Sequence, residues 1–469
     1  MTDMSRPARD RGLSVRGQAP PAATGEAPPP HLPLDTKSRI RLIITAYAAR
    51  ARTLAQVTLE TQPPPTASSP VHATWVHPGP LARAALPLTW LVTRAGMLVL
   101  LALDGRAPLG AGGIAHEVFA LYARWSTTLA HGTFPAGDPM WQYPPGAGPV
   151  LLAPGLVPGL TYFQAFVALT LVTDALVTLA LARAGTRTGR SAAGAWLWTA
   201  ALPLLLHIPL ARYDIEVTAF AVCALLVMAR FPRTGGVLAA CGALVKVWPA
   251  LTLLGTPRGR SSREAWTAAL ASGAAILLVL AVAFRSPFAF LREQGGRGVQ
   301  IESLGGTALT LARRAGWPGQ VRYRFGAMEY VGPHVGMVAA ASLVLTAGAA
   351  ALLLLWRVEA RYWTPATPFD AALCAVLLFT VTSRVISPQY LIWLVGLAAV
   401  CLTSRHTTQR PVAVLVVAAA GLSALAYPVL YADVEAGTWT GCLLMLARNG
   451  LLLGGAVVSF GSLWKGTKE

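Results

Sequence analysis

From Leu86 onward the chain is a succession of long apolar segments separated by short polar connections. Ten of them approach the roughly 20 apolar residues that a hydrocarbon core demands. They run from Leu86 to Asp104, Leu160 to Ala182, Ala192 to Ile208, Ile215 to Ala229, Ala265 to Phe284, Val335 to Trp356, Phe369 to Val381, Leu391 to Leu402, Val412 to Leu430 and Leu443 to Phe460. Two further apolar pieces are interrupted: Ala147 to Val157 by Pro149 and Pro154, and Val237 to Leu254 by Lys246 and Pro249. The pattern predicts an all-α polytopic membrane domain over residues 86–464, with about ten full spans and two re-entrant or broken elements. Non-helical backbone at membrane depth is tolerated only where it lines a cavity or is buried in protein, so the broken elements should line a site.

Composition agrees. The 469 residues are 54% hydrophobic and 12% charged, with mean hydropathy +0.53, against roughly 25% charged in ordinary soluble domains. A net charge of +18 would suit nucleic acid, but the arginines form short clusters between apolar segments instead of one basic face. That is the signature of cytoplasmic loops, and nucleic acid is not an expected partner. If each broken piece enters and leaves by the same face, the clusters Arg183/Arg187/Arg190, Arg230/Arg233, Arg258/Arg260/Arg263, Arg357/Arg361, Arg405/Arg410 and Lys465/Lys468 all fall on the cytoplasmic side. If either piece alone crosses, the clusters after it land outside. A plasma-membrane protein with both termini cytoplasmic is therefore expected. The five cysteines, Cys223, Cys241, Cys374, Cys401 and Cys442, show no paired ligand spacing, so neither a disulfide framework nor a zinc site is expected.

Residues 1–80 are rich in Pro, Ala, Arg and Thr, with PPP runs at Pro28 to Pro30 and Pro63 to Pro65. Such a stretch cannot bury enough apolar surface to offset its ordering entropy, and a disordered cytoplasmic tail is expected. Within it, Ile40, Ile43, Ile44, Tyr47, Leu54 and Val57 share one stripe near Arg39, Arg41, Arg50 and Arg52. An interfacial basic helix over 37–58 and a frayed helix of no consequence both fit.

This topology gathers four polar stretches on the outer face: the loop from Ala115 to Pro149, the turn LARYD at Leu210 to Asp214, the loop from Arg285 to Pro333 and the turn SRVISPQY at Ser383 to Tyr390. The first is rich in Trp, Tyr, His and carboxylates, and a loop of that length is uncommon unless functional, so it is expected to be structured. Lys246 would rise to the same face at the tip of its broken element. Ionisable groups at membrane depth are costly and mark candidate sites.

WQYPPGAG (Trp141 to Gly148), preceded by GTFPAGD (Gly132 to Asp138), GALVKVWPALTLL (Gly242 to Leu254), RGVQIES (Arg297 to Ser303) and SPQYLIWL (Ser387 to Leu394) resemble, in the expected order, blocks of the actinobacterial polyprenyl-phosphate-mannose-dependent mannosyltransferases of glycosyltransferase family 87, which have the GT-C fold. The resemblance runs from about Leu86 to the C-terminus. It implies inverting transfer of a hexose, mannose on family grounds, from a polyprenyl phosphate donor to a glycolipid, glycan or protein acceptor on the extracytoplasmic face. No cofactor or metal is implied.

Such chemistry needs one carboxylate in the first outer loop as general base, and cations for the phosphate. In the family pattern an aspartate precedes a tyrosine by four positions here, but relative to Tyr122 that position is Val118. Glu117, one residue away, and Asp138 are the candidate bases, with Glu117 preferred. Lys246, Arg297, Arg212 and Arg384 are candidates for the donor phosphate. Tyr143, Asp214, Gln300, Glu302 and Gln389 are candidates for substrate binding. Simpler roles stand beside these: Arg212 with Asp214 as a helix-end pair, Arg297 with Glu302 as a surface salt bridge, His116 as an interfacial histidine, and Trp125 and Trp141 as headgroup-level anchors. Asp174, Asp370 and Arg448 suit interhelical polar pairing. A different class, a secondary transporter or flippase, also carries broken helices with a charge at the break. It would need matching broken segments in two halves, and no such repeat is found.

Overall fold

The computed structural model describes residues 80–106, 113–295 and 297–468. The expected tail, with its basic helix at 37–58, lies outside them but for its last residue. Every apolar segment anticipated above contains a helix. In chain order the elements are α1 Pro80–Ala102, a π-helical turn Glu117–Tyr122, α2 Ala123–Ala130, α3 Ala147–Leu152, α4 Tyr162–Gly185, α5 Ala193–Ala201, α6 Asp214–Met228, α7 Pro232–Val245 and α8 Arg260–Ala283. There follow α9 Phe290–Gly295, β1 Val299–Gln300, α10 Leu304–Arg314, β2 Gln320–Arg324, β3 Ala327–Val331, α11 Val335–Glu359, α12 Thr367–Thr382, α13 Tyr390–Leu402, α14 Arg410–Ala424, α15 Tyr431–Ala436 and α16 Trp439–Lys468. The chain is an all-α polytopic membrane protein. Six helices among the described residues are long and apolar enough to cross a membrane. The other four anticipated spans are shorter: α5 has 9 residues before a 3₁₀ turn at Leu202–Leu205, and α13 has 13, α6 15 and α12 16. At 1.5 Å per residue the last three reach only roughly 20–24 Å, so they sit among the longer helices, and α13 is buried along nearly its whole length.

Both interrupted pieces are broken as their prolines require. α7 stops at Val245, four residues before Pro249, whose ring would clash with that carbonyl and which offers no N–H. The chain then extends at Lys246 (φ −147°, ψ 136°) and resumes as a 3₁₀ turn, Trp248–Leu253. α3 likewise gives way to a 3₁₀ turn at Ala153–Leu156, with Pro154 in it.

The expected loop from Arg285 to Pro333 is folded: a three-stranded sheet of order β1-β3-β2, all antiparallel, with α10 packed beside it. Strands β2 and β3 are joined by Phe325 and Gly326, both at positive φ (52° and 78°), the backbone of a two-residue hairpin turn.

Charged groups inside the bundle find polar partners. Arg94 donates from Nε and Nη2 to the two oxygens of Asp174 at 2.7 and 2.9 Å, and the indoles of Trp90 and Trp198 donate to the same carboxylate. Asp370 accepts from the hydroxyls of Thr407 and Thr408, and Arg448 lies 3.8 Å from Glu302. The anticipated interhelical pairing is present for Asp174 with Arg94 and for Arg448 with Ser423 of α14, whereas Asp370 binds the loop before α14 instead of a neighbouring helix. The arginine clusters meet at one end of the bundle: Arg405 donates to the Arg190 carbonyl, Arg258 to the Arg357 carbonyl, and the Arg361 amide to the Thr467 carbonyl. The four polar stretches assemble at the other end.

Candidate functional site

At that second end the first outer loop folds over its own aromatic core. Tyr122, Trp125, Phe134 and Trp141 are at most 1% exposed and pack ring against ring with Tyr143 and Tyr213. Trp125 and Trp141 are therefore core residues here, correcting their expected role as headgroup anchors. A two-way backbone pairing of Gly132 and Phe134 with Arg285 ties the loop to the next one. The Asp104 carboxylate receives the amides of Ile114 and Ala115 and Nε2 of His207. Burial opposes its ionisation, but these donors hold it below the usual carboxylate range.

Glu117 opens the π-helical turn, in which hydrogen bonds span five residues instead of four. That geometry absorbs one extra residue: Val118 goes into the core, fully buried, while Glu117 sits one widened turn ahead of Tyr122. Arg212, 6% exposed, holds Glu117 at 3.1 Å while donating to the Ile114 and Ala211 carbonyls.

Glu117 lines a cavity of about 480 Å³ together with Tyr143, Lys246, Arg297, Arg384 and Gln389, closed by Trp125, Trp248, Phe325, Tyr390 and Trp393. Lys246 enters from the helix break. Its Nζ donates to Asp214 Oδ1 at 2.6 Å and faces the rings of Tyr213, Trp393, Tyr390 and Tyr143 at 4.8–6.0 Å. Arg297 is braced by Glu329 (3.4 Å) and the Phe325 carbonyl (3.2 Å), and Arg384 donates to the Arg297 carbonyl. Burial and the neighbouring Arg297 charge push Arg384 below its ordinary value. Three cations and one carboxylate around a small chamber can hold an anion at one wall and accept a proton at another.

The other candidates lie elsewhere. Asp138 is absent from the cavity wall: its oxygens accept from Arg124, the Trp125 indole and the Met140 amide, which latch the loop. Arg212 and Asp214 stand behind the wall, each holding a residue that does line it. Gln300, 3% exposed, ties β1 to the 383–389 turn through the Ile386 amide. Glu302 is 2% exposed and packed against Arg448. Its burial pushes it up to about 7, with Arg448 opposing. The described residues contain no group of three or more His, Cys, Asp and Glu able to hold a metal.

Sequence reasoning passed over Glu329, Tyr213, Trp393 and the hairpin tip. The alternation Val321, Tyr323, Phe325 around an FG turn was the available strand signal, and Trp393 lies inside the SPQYLIWL block.

No curated protein matches the chain. The family model for glycosyltransferase family 87 matches residues 141–388, more than half of the 469 residues, and spans Tyr143, Lys246, Arg297 and Arg384 of the cavity wall. Its membrane-spanning helical body and this match identify the chain as a member of glycosyltransferase family 87, a membrane glycosyltransferase.

Proposed function

We propose that the chain transfers a hexose, mannose by family likeness, from a polyprenyl phosphate to a lipid, glycan or protein acceptor, with inversion. One observation carries the reading: Glu117, Lys246, Arg297 and Arg384 line a single cavity of about 480 Å³. The donor phosphate sits against Lys246, Arg297 and Arg384, whose charges take up the negative charge that grows on it as the sugar leaves. Glu117 removes the proton from the acceptor hydroxyl. The hydroxyl oxygen forms its bond to the anomeric carbon from the face opposite the phosphate, and the sugar–phosphate C–O bond breaks with its electron pair going to the polyprenyl phosphate. Arg212 and Asp214 are positioning residues, for Glu117 and Lys246 respectively. Asp138 has its acceptor capacity committed within the loop, which favours Glu117 as base. Tyr143 and Gln389 border the sugar. Gln300 and Glu302 support the wall from behind.

The clustering of arginines at the end away from the cavity supports a cytoplasmic placement of that end, in a plasma membrane, with the cavity extracytoplasmic and both termini inside.

The test uses purified enzyme in lipid nanodiscs with decaprenyl-phosphate mannose and a lipid extract, reading hexose addition by mass. Glu117→Gln should lower turnover by roughly 10²- to 10⁴-fold and retain donor binding, whereas Asp138→Asn should act through stability alone. Full turnover by Glu117→Gln would remove the proposed base. Solute uptake into proteoliposomes without sugar transfer would favour a transporter.

A further inference from the structure

Arg212 holds the side chain of Glu117, but the backbone beneath it has a separate anchor, Asp104 in the turn that follows α1. Its Oδ1 accepts the Ile114 amide at 3.0 Å and Nε2 of His207 at 2.9 Å, and its Oδ2 accepts the Ala115 amide at 2.7 Å. Ile114 is gripped from both sides. Its carbonyl accepts from Arg212 at 2.9 Å, and the same guanidinium meets Glu117 at 3.1 Å. The Ala115 carbonyl accepts the amides of Val118 and Phe119, which closes the turn that carries Glu117. The carboxylate thus stands two positions beyond an amide that cannot move without breaking its bond to Asp104.

His207 is built into this anchor at a cost. It is 0% exposed, and with Nε2–H donating to Asp104 its Nδ1 is a bare acceptor, without a hydrogen-bond partner among the described residues. A buried acceptor left unsatisfied is destabilising. Leu206, just before it, has φ 55° and ψ −130° between the 3₁₀ turns Leu202–Leu205 and Ile208–Leu210, a region that suits glycine and strains leucine. Such strain persists only where the surroundings over-determine it, and it gathers at functional sites. An apolar side chain at position 207 would fill the space with no idle nitrogen, so packing alone does not account for an imidazole there. Neither Asp104 nor His207 lines the cavity.

We propose that Asp104 and His207 are positioning residues for Glu117: the imidazole orients the Asp104 carboxylate, which fixes the Ile114 and Ala115 amides and, through them, the turn that aims Glu117 into the cavity. This rests on the transfer reading above and extends it to two groups outside the cavity wall. The isosteric Asp104→Asn exposes the device. Its oxygen can keep Ile114 and His207, but its NH₂ then faces the Ala115 amide, donor against donor.

The test uses full-length enzyme in nanodiscs with decaprenyl-phosphate mannose and the same lipid extract. Asp104→Asn should lower kcat by roughly tenfold to 10²-fold, the scale set by a displacement of about 1 Å, and leave the KM for the donor unchanged. His207→Leu, which keeps the fold if Asp104→Asn does not, should lower kcat in the same direction, and His207→Gln, which can still donate to Asp104, should recover most of it. In a Glu117→Gln background neither Asp104→Asn nor His207→Leu should lower the residual rate further, because residues acting as a unit are not additive; a general loss of structure would lower it again. Hydrogen exchange supplies an arm independent of activity: the amides of residues 114–122 should exchange faster in Asp104→Asn and His207→Leu than in wild type or His207→Gln. Full turnover by both Asp104→Asn and His207→Leu, equal losses in His207→Leu and His207→Gln, losses that multiply in the Glu117→Gln background, or unchanged exchange would overturn the proposal. Wild-type enzyme that transfers no hexose while exchange responds as described would retain the pair as the anchor of Glu117 and overturn the transfer reading instead.

Discussion

The contact between Lys246 and Asp214 separates a structural role from a functional one. Asp214 is 1% exposed and receives two short hydrogen bonds, from Lys246 Nζ and from the Trp393 indole, both at 2.6 Å. Its substitution by Asn removes the charge opposite a lysine whose side chain is only 14% exposed. Breaking one side of a buried pair costs about 3–5 kcal/mol. Here the four aromatic faces around Nζ remain, each worth about 0.5–1 kcal/mol or more, and the cavity admits water, so a loss of about 2–3 kcal/mol is expected. Lys246→Met alone strands the buried Asp214 carboxylate and should cost about as much, whereas removing both charges together is close to neutral for stability. The double variant should therefore be more stable than either single variant, giving a coupling energy of at least about 2 kcal/mol in a thermal-unfolding cycle in detergent. Activity should order differently: Lys246→Met should lose roughly 10²- to 10³-fold in turnover, as expected for a group that faces developing charge, and the double variant should be no better. Additive stability effects would refute the pairing as the reason for the lysine's position. Full turnover by Lys246→Met would refute its placement against phosphate.

Three further outcomes follow from the packing. Glu302 titrates near 7, above its ordinary 4.5, because it is buried, so the fold favours its protonated form. Its contribution is present at low pH and is lost as pH rises through about 7, by up to about 3 kcal/mol. The unfolding temperature of wild type should fall between about pH 5 and about pH 8, and Glu302→Gln should flatten that fall; a parallel fall in both would exclude Glu302 as the source. Asp174→Ala strands Arg94 and two indole donors, and should cost about 3–5 kcal/mol by the same unfolding measurement; a change under about 1 kcal/mol would contradict the network. A side chain at Gly236 in α7 would run into the Ala265 carbonyl of α8, and one at Gly194 in α5 into the Ala399 carbonyl of α13. Valine at either position should force those backbones apart and lower the yield of folded protein in size-exclusion chromatography, where Gly273→Val, whose nearest neighbour is 3.8 Å away, should be tolerated.

How far the residues alone reach depends on which physical constraint acts. The bilayer imposes a minimum apolar length, so the segments were legible as helices, and a proline at a known offset from a lysine made the break at Lys246 legible too. Partnership is a different matter. Glu117 and Asp138 are chemically alike and both lie in one loop. What separates them is that Trp125 and Arg124 claim Asp138 while Arg212, almost a hundred positions away, turns Glu117 toward the cavity. Arg212 itself carries the same charge as Arg297 and Arg384, yet its donors go to the Ile114 and Ala211 carbonyls and to Glu117, which puts it behind the wall. Gln300 and Glu302 were drawn to the site by their motif, but β1 pairing turns Gln300 inward and the turn after it buries Glu302 against Arg448, and Glu329 from the unanticipated β3 braces Arg297 instead. Sequence pattern thus locates the elements that deliver charge, because their constraints are local. Which charge faces substrate is decided by competing hydrogen-bond partners distant along the chain. The hairpin that closes the cavity was hidden for the same reason: its strands are five residues each, too short to stand out beside helices of 23 to 30, and their pairing is satisfied by β1 and by Arg297 from outside the hairpin.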